Sequence, residues 1–177
     1  MTGLNGWREG PIDRRHDRER FDCGVNDLNL YLRRYARQNH LAGGAKTFVA
    51  VAPDNPTFVA GYYSISPGAI EFSQVPHELT RRLGRYDLPV FRLGRLAVDL
   101  SAQGRGLGTA LLGAAGERAL AAAYEVGGFA LAIDAKSEGA AQWYERFGGL
   151  RLVDDPLKLV IPLSTIAKGL QRAHAEP

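Results

Sequence analysis

Arg95-Leu96-Ala97-Val98-Asp99, followed by Gln103-Gly104-Arg105-Gly106-Leu107-Gly108-Thr109 and an Ala/Leu-rich stretch, decides how this chain folds. The first five residues read as a buried strand. The glycines read as a loop, and the residues after them as the start of a helix. A strand–loop–helix of this kind turns backbone N–H groups toward one point, where the positive end of the helix dipole adds to them. Glycine permits the tight, positive-φ backbone that wrapping an anion requires. The segment therefore points to a phosphate-bearing ligand.

Outward from this loop the second half alternates. A helix over 105–124 is followed by a strand over 129–134. Ser137 is placed to cap a helix over 138–147 that Gly148-Gly149 ends. Short strands at 150–153 and 158–163 close the chain. In the first half, Asn26 is placed to cap a helix over 27–41. Its apolar stripe is Leu28, Tyr31, Leu32, Tyr35 and Ala36, with Arg33, Arg34 and Arg37 off the stripe and facing solvent. Strands over 46–52 and 57–66 flank the turn Pro53-Asp54-Asn55-Pro56 and form a hairpin. A third strand is expected over 68–73 and a short helix over 76–83. Leu88-Pro89 breaks before a strand over 90–100. Antiparallel strands first and β–α–β–α–β second give an α/β fold, a mixed, mostly antiparallel central sheet with helices on both faces.

The length of 177 residues fits one domain, expected over 1–170 with 171–177 as a disordered tail. The chain is 45% hydrophobic, enough for a core, and has no apolar run of membrane-spanning length and no signal-peptide core. Cys23 is the one cysteine, so an internal disulfide is excluded and a reducing cytoplasm is expected. His16, His40, His77 and His174 lack metal-ligand spacing, and no metal is expected. The net charge is only +3, but residues 1–46 carry nine Lys/Arg against six acids. Residues 77–95 carry five Arg (81, 82, 85, 92 and 95) against two acids. Arginine suits forked contacts to phosphate, and either patch fits RNA or a plain solvated surface.

Three phosphate loops compete for 103–109, beside an ordinary glycine turn. A dinucleotide fingerprint wants a third glycine where Thr109 stands, and a P-loop wants a lysine that is missing. Gln103, Gly106 and Gly108 satisfy the Gln/Arg-x-x-Gly-x-Gly/Ala loop that binds acetyl-coenzyme A. Here the chain resembles the GCN5-related N-acetyltransferase (GNAT) family. Ser137-x-x-Ala140-x-x-Trp143-Tyr144-Glu145-x-Phe147-Gly148 matches the family's second motif, with Ser137 where Asn is usual. The resemblance implies a GNAT fold whose splayed strands expose the backbone of Leu96, Ala97 and Val98 to pantetheine. It implies that Gln103, Gly104, Arg105, Gly106, Leu107, Gly108 and Thr109 hold the pyrophosphate, and that Ser137 and Ala140 lie on the cofactor.

Further segments resemble a narrower group, the acetyltransferase toxins of bacterial toxin–antitoxin pairs. They are Phe21-x-Cys23-Gly24 with Leu28 and Leu32, Gly44-x-Lys46-Thr47-Phe48-Val49, Val59-x-Gly61-Tyr62-Tyr63-Ser64, Leu93-Gly94-Arg95 and Asp134-Ala135-Lys136. This implies transfer of acetyl from acetyl-CoA to the α-amine of aminoacyl-tRNA, which blocks translation. It also implies a small ribbon–helix–helix antitoxin as partner and a homodimer. The alternative acceptors are a protein N-terminus, a polyamine or another small amine. A non-catalytic acetyl-CoA-binding regulator is a third class.

Amine chemistry bears on the choice. An α-amine has a pKa near 7.7–8.0, against about 10.4 for lysine, and needs little help from a base at neutral pH. Glu71, Glu78 and Asp99 carry no clear base signature. Tyr144 is the expected general acid, since a phenol stays protonated at pH 7 and can donate to a leaving thiolate. The other reading makes it a core aromatic beside Trp143 and Phe147. Arg33, Arg34, Arg37, Arg81, Arg82, Arg85, Arg92 and Arg95 are the candidate tRNA contacts. Arg95 is otherwise a partner for Asp99 or Glu71.

Overall fold

A computed structural model describes residues 2–4, 6–81 and 83–175. In chain order its elements are β1 (Thr2–Leu4), β2 (Trp7–Pro11), α1 (Asn26–Arg34), α2 (Ala36–Ala42), β3 (Lys46–Ala52) and β4 (Asn55–Ile70). There follow α3 (His77–Thr80), β5 (Leu88–Val98), α4 (Leu107–Val126), β6 (Ala130–Asp134), α5 (Glu138–Glu145), β7 (Leu150–Arg151), β8 (Lys158–Pro162) and α6 (Leu163–Ala175). The chain divides into two compact units, Met1–Ser66 with Gly94–Ala115 and Pro67–Leu93 with Gly116–Pro177. Strands β4 and β5 and helix α4 each have residues in both.

In the first unit β1, β2, β3 and β4 are antiparallel neighbours. The expected hairpin is β3–β4, in register from Lys46↔Ile65 to Ala50↔Gly61, with irregularities on either side of Val51. β4 is one strand through Ile70, where two were expected. Pro67 is tolerated because the β3 ladder has already ended at Ile65, so no partner on that strand needs its missing N–H. β1 and β2 were not legible. Trp7-Arg8-Glu9-Gly10-Pro11 shows no apolar alternation, yet it pairs with Val51 to Phe48.

The expected helix over 27–41 breaks at Tyr35, whose φ of −114° separates α1 from α2. Tyr35 is consequently 48% exposed, while Leu28, Tyr31, Leu32 and Ala36 are buried as their spacing predicts. Asn26 is the first helical residue rather than the cap, and Val25 precedes it without a side-chain bond. The core of this unit gathers Phe21, Tyr31, Leu32, Val49, Val59, Tyr62 and Ala97.

In the second unit β6 runs parallel to β5 over Val90↔Ala130 to Leu93↔Ile133, and β8 is antiparallel to β6 and β7. Its core joins Ile70, Val75, Leu88, Val90, Ala130, Ala132, Leu152 and Val160. α3 is shorter than expected, and Arg82, within the expected helix, lies outside the described residues. The tail expected to be disordered from 171 continues α6 through Ala175.

Candidate functional site

β5 delivers the cofactor segment. Its ladder with β6 ends at Leu93↔Ile133, but the strand continues to Val98. Arg95, Leu96 and Val98 are half-buried there, and Ala97 is buried. Asp99 then turns the chain. It is 6% exposed, and both carboxylate oxygens are committed. Oδ1 accepts from the Ser101 N–H (2.9 Å) and hydroxyl (2.6 Å), and Oδ2 accepts from the Asp22 N–H (2.9 Å). Asp22 in turn accepts from Asn29 Nδ2 and the Gly24 N–H, and Asn29 Oδ1 accepts from the Cys23 N–H. The Phe21-x-Cys23-Gly24 segment is thereby bolted under the loop, and Gly24 fits because it takes a φ of +81°.

The loop is an open cradle. Gly104 (φ +73°) and Gly106 (φ +79°) both lie in the left-handed region, with nothing within 4 Å of where a Cβ would stand. The first N–H groups of a helix have no carbonyl one turn before them within the helix, and here the Ala110 N–H donates to the Gly106 carbonyl at 3.1 Å. Several donors at the start of a 20-residue helix are thus left for an anion, which is the requirement of a pyrophosphate. The cradle stands on a fixed floor. Leu107 is buried, and a Cβ at Gly61 would lie 2.8 Å from Leu111 Cδ1 and 3.1 Å from the Ala97 carbonyl. β4 can pass that close only as glycine.

Gln103 anchors the start of the loop. Its N–H donates to Asp99 O, and Nε2 donates to Val98 O (3.0 Å) and Cys23 O (3.4 Å). The side chain braces the loop from behind and takes up the Val98 carbonyl. Arg105 is exposed, with its guanidinium 5.1 Å from the centroid of the Trp7 ring. Trp7 could not be found from sequence, because β2 itself was not legible.

In the second unit α5 carries the remaining candidates. Ser137 caps it, Oγ accepting from the Ala140 N–H at 3.2 Å. Tyr144 is buried at 7% exposure, edge-on to Trp143 at 4.8 Å. Burial alone pushes its phenol well above the usual tyrosine range, so it holds its proton at neutral pH. Its carbonyl accepts from the N–H groups of Phe147 and Gly149.

A family model, described as an acetyltransferase (GNAT) domain, matches residues 45–148. The chain belongs to the GNAT acetyltransferase family. It is an acetyl-CoA-dependent enzyme. The tRNA-acetylating toxin of Mycobacterium tuberculosis is 34% identical over 161 residues, 91% of this chain and 93% of that one. AtaT complexed with acetyl-methionyl-tRNAfMet superposes with a TM-score of 0.85 at 27% identity, over 93% of this chain and 99% of AtaT. A Tyr-to-Phe mutant of AtaT, bound to the C-terminus of the antitoxin AtaR and acetyl-CoA, gives 0.80 at 26%, over 94% and 99%.

The acetyltransferase presents its expected tRNA-contacting arginines unequally. Arg33 is not a free surface cation. Its Nη2 donates to the Phe21 carbonyl at 3.0 Å, and its own carbonyl accepts from Arg18. Arg34 is exposed and Arg37 half-buried. Arg95 lies over the Tyr31 ring, its guanidinium carbon 3.6 Å from the centroid. In the second unit, Arg81 and Arg85 are exposed, and Arg92 pairs with Asp134 at 3.8 Å and with Ala69 O. No helix among the described residues is long and apolar enough to cross a membrane.

Proposed function

We propose that this acetyltransferase moves the acetyl group of acetyl-CoA to the α-amine of aminoacyl-tRNA and so blocks translation in the cytoplasm. It acts as the toxin of a toxin–antitoxin pair, with a small ribbon–helix–helix antitoxin as its partner and a homodimer as its working form. The observation that carries the donor half is the open loop at the start of α4, where Gly104 and Gly106 take positive φ with nothing within 4 Å of a Cβ position. The acceptor half rests on similarity over nine-tenths of the chain to a tRNA-acetylating toxin.

The cradle's N–H groups hold the pyrophosphate, and Leu96 and Ala97 offer backbone groups to pantetheine. The neutral amine attacks the thioester carbonyl. The C–N bond forms, the C–S bond breaks, and the departing thiolate takes the Tyr144 phenol proton, while the amine nitrogen sheds one to water and water returns one to the phenolate, so that the phenol is restored. An α-amine is about half unprotonated near pH 8, so no strong base is required. Asp99 fits that picture, since both its oxygens are committed to holding the loop.

Incubation with radiolabelled acetyl-CoA and bulk charged tRNA tests the reading. Label that leaves the tRNA with the aminoacyl ester on mild alkaline hydrolysis is the expected result. Label confined to protein or polyamine overturns it in favour of those acceptors.

A further inference from the structure

The geometry points to Arg151 as a positioning residue that fixes Tyr144 by clamping both ends of helix α5. Glu138 opens this helix and Glu145 closes it, one residue beyond Tyr144. Arg151 grips both. Nη1 and Nη2 donate to the two Glu138 oxygens (2.9 and 2.7 Å), and Nε and Nη2 donate to the two Glu145 oxygens (2.6 and 3.0 Å). Nη1 also donates to the Pro156 carbonyl at 3.2 Å. A guanidinium has five N–H donors, and these contacts occupy all of them in one arrangement.

The clamp is itself fixed. Arg151 lies on β7 opposite Leu159 of β8, and the next N–H, of Leu152, donates to Lys158 O at 2.8 Å. Arg151 therefore ties α5 to the sheet of its own unit. The helix needs such a tie. It has eight residues, and isolated helices below roughly 12–15 residues do not persist in water. The Tyr144 carbonyl also ties it to Gly149, where a Cβ would stand 2.9 Å from that oxygen, and Ala141 and Tyr144 are buried.

Exposed ion pairs contribute little to global stability, and this one is solvated on the glutamate side. Position is another matter, because a shift of about 1 Å at a reacting group can cost about 100-fold in rate. Arg151 thus acts through α5 on where the phenol stands. Lysine, a single point charge, cannot bridge both carboxylates with this geometry.

The proposal rests on Tyr144 being the acid, and two readouts keep the two claims apart. The first is the pH titration of the Tyr144 ring carbon by NMR in wild type, Arg151→Met and Arg151→Lys. The methionine variant is expected to melt within a few degrees of wild type, yet its Tyr144 signal shifts and titrates nearer to free tyrosine; the lysine variant falls between. An unchanged signal overturns the clamp. The second readout is kcat. Arg151→Met is expected to lower kcat about tenfold at unchanged KM for acetyl-CoA, and to add nothing in a Tyr144→Phe background. An equal drop in both backgrounds overturns the positioning role. Near-normal kcat for Tyr144→Phe alone, with the signal still moved by Arg151→Met, refutes the acid and leaves the clamp standing.

Discussion

Arg95 rests its guanidinium on the face of Tyr31, 3.6 Å from the ring centroid, and Tyr31 stacks in turn on Tyr62 at 6.2 Å. The stack needs the ring and not the hydroxyl. Tyr31 Oη is buried with no hydrogen-bond partner among the described residues, whereas the Tyr62 hydroxyl donates to the Leu28 carbonyl at 2.7 Å. A buried, unsatisfied hydroxyl costs about 1–3 kcal/mol. Tyr31→Phe is therefore expected to leave the Arg95 stack intact and stabilise the protein by about 1 kcal/mol, a rise in Tm of about 2–4 °C at this size. Tyr62→Phe is expected to lower Tm, because it removes a buried hydrogen bond to the Leu28 carbonyl. A fall in Tm for Tyr31→Phe refutes the assignment.

Asp99 closes the motif strand, and its carboxylate accepts three hydrogen bonds rather than facing a substrate. Bonds to a charged group contribute about 1.5–3 kcal/mol each, and Asn can replace the carboxylate at only some of them. Asp99→Asn is expected to destabilise by about 2 kcal/mol in denaturant unfolding, with the pH dependence of kcat unchanged. Loss of the acidic limb from that profile with full stability retained means that Asp99 is a base after all.

The site was legible where chemistry forces composition and illegible where contacts are distant in sequence. Gly104 and Gly106 stand out because their backbone demands positive φ, and Tyr144 because it falls at a helical position after a recognisable cap. Gly116 reads as a helix weakness, yet a Cβ there would lie 2.6 Å from Ile166, so it admits α6, an element the sequence did not announce. Arg33 sits off the apolar stripe and reads as solvent-facing, but its side chain reaches back to Phe21, twelve residues earlier. Tyr35 sits on the stripe and is exposed because the helix breaks at that residue. Period and composition do not encode a break of that kind.

The loop glycines separate two kinds of requirement. At Gly106 a methyl meets open space, but φ is +79°. Alanine there is strained by about 1–2 kcal/mol and distorts the cradle. Gly106→Ala is expected to raise KM for acetyl-CoA about 5- to 30-fold and to lower Tm by only a few degrees. At Gly61 the obstacle is packing against Leu111, Leu107 and the Ala97 carbonyl. Gly61→Ala is expected to lower Tm by several degrees. Melting curves with and without acetyl-CoA, beside initial rates, check both; reversal of the two patterns refutes the division.

The arginines divide in the same way. Arg34, Arg81 and Arg85 are exposed, so if they meet RNA phosphates, each released counterion lowers the slope of log affinity against log salt by about one. Arg34→Glu with Arg81→Glu and Arg85→Glu is expected to weaken tRNA binding and flatten that slope, with Tm held. Arg33→Ala is expected to do the opposite, since it removes the bond to the Phe21 carbonyl: Tm falls and the slope stays. An unchanged slope in the triple variant removes these residues from the RNA-binding surface.

His16 sets the expected response to acid. It is 7% exposed, and its Nδ1 accepts from the Asp13 N–H at 3.0 Å, which requires the neutral ring. Burial outweighs the nearby Asp13 carboxylate and holds the imidazole below its usual 6.5. The unfolded chain therefore binds a proton more readily than the folded one, and stability falls as pH drops through about 6.5. Above that range both states are neutral and the contribution is constant. Tm is expected to decline between pH 7 and pH 5, and His16→Gln, whose amide oxygen can still accept but cannot be protonated, to reduce that part of the decline. Parallel Tm–pH curves for wild type and His16→Gln refute the role, because carboxylates elsewhere then account for the acid limb.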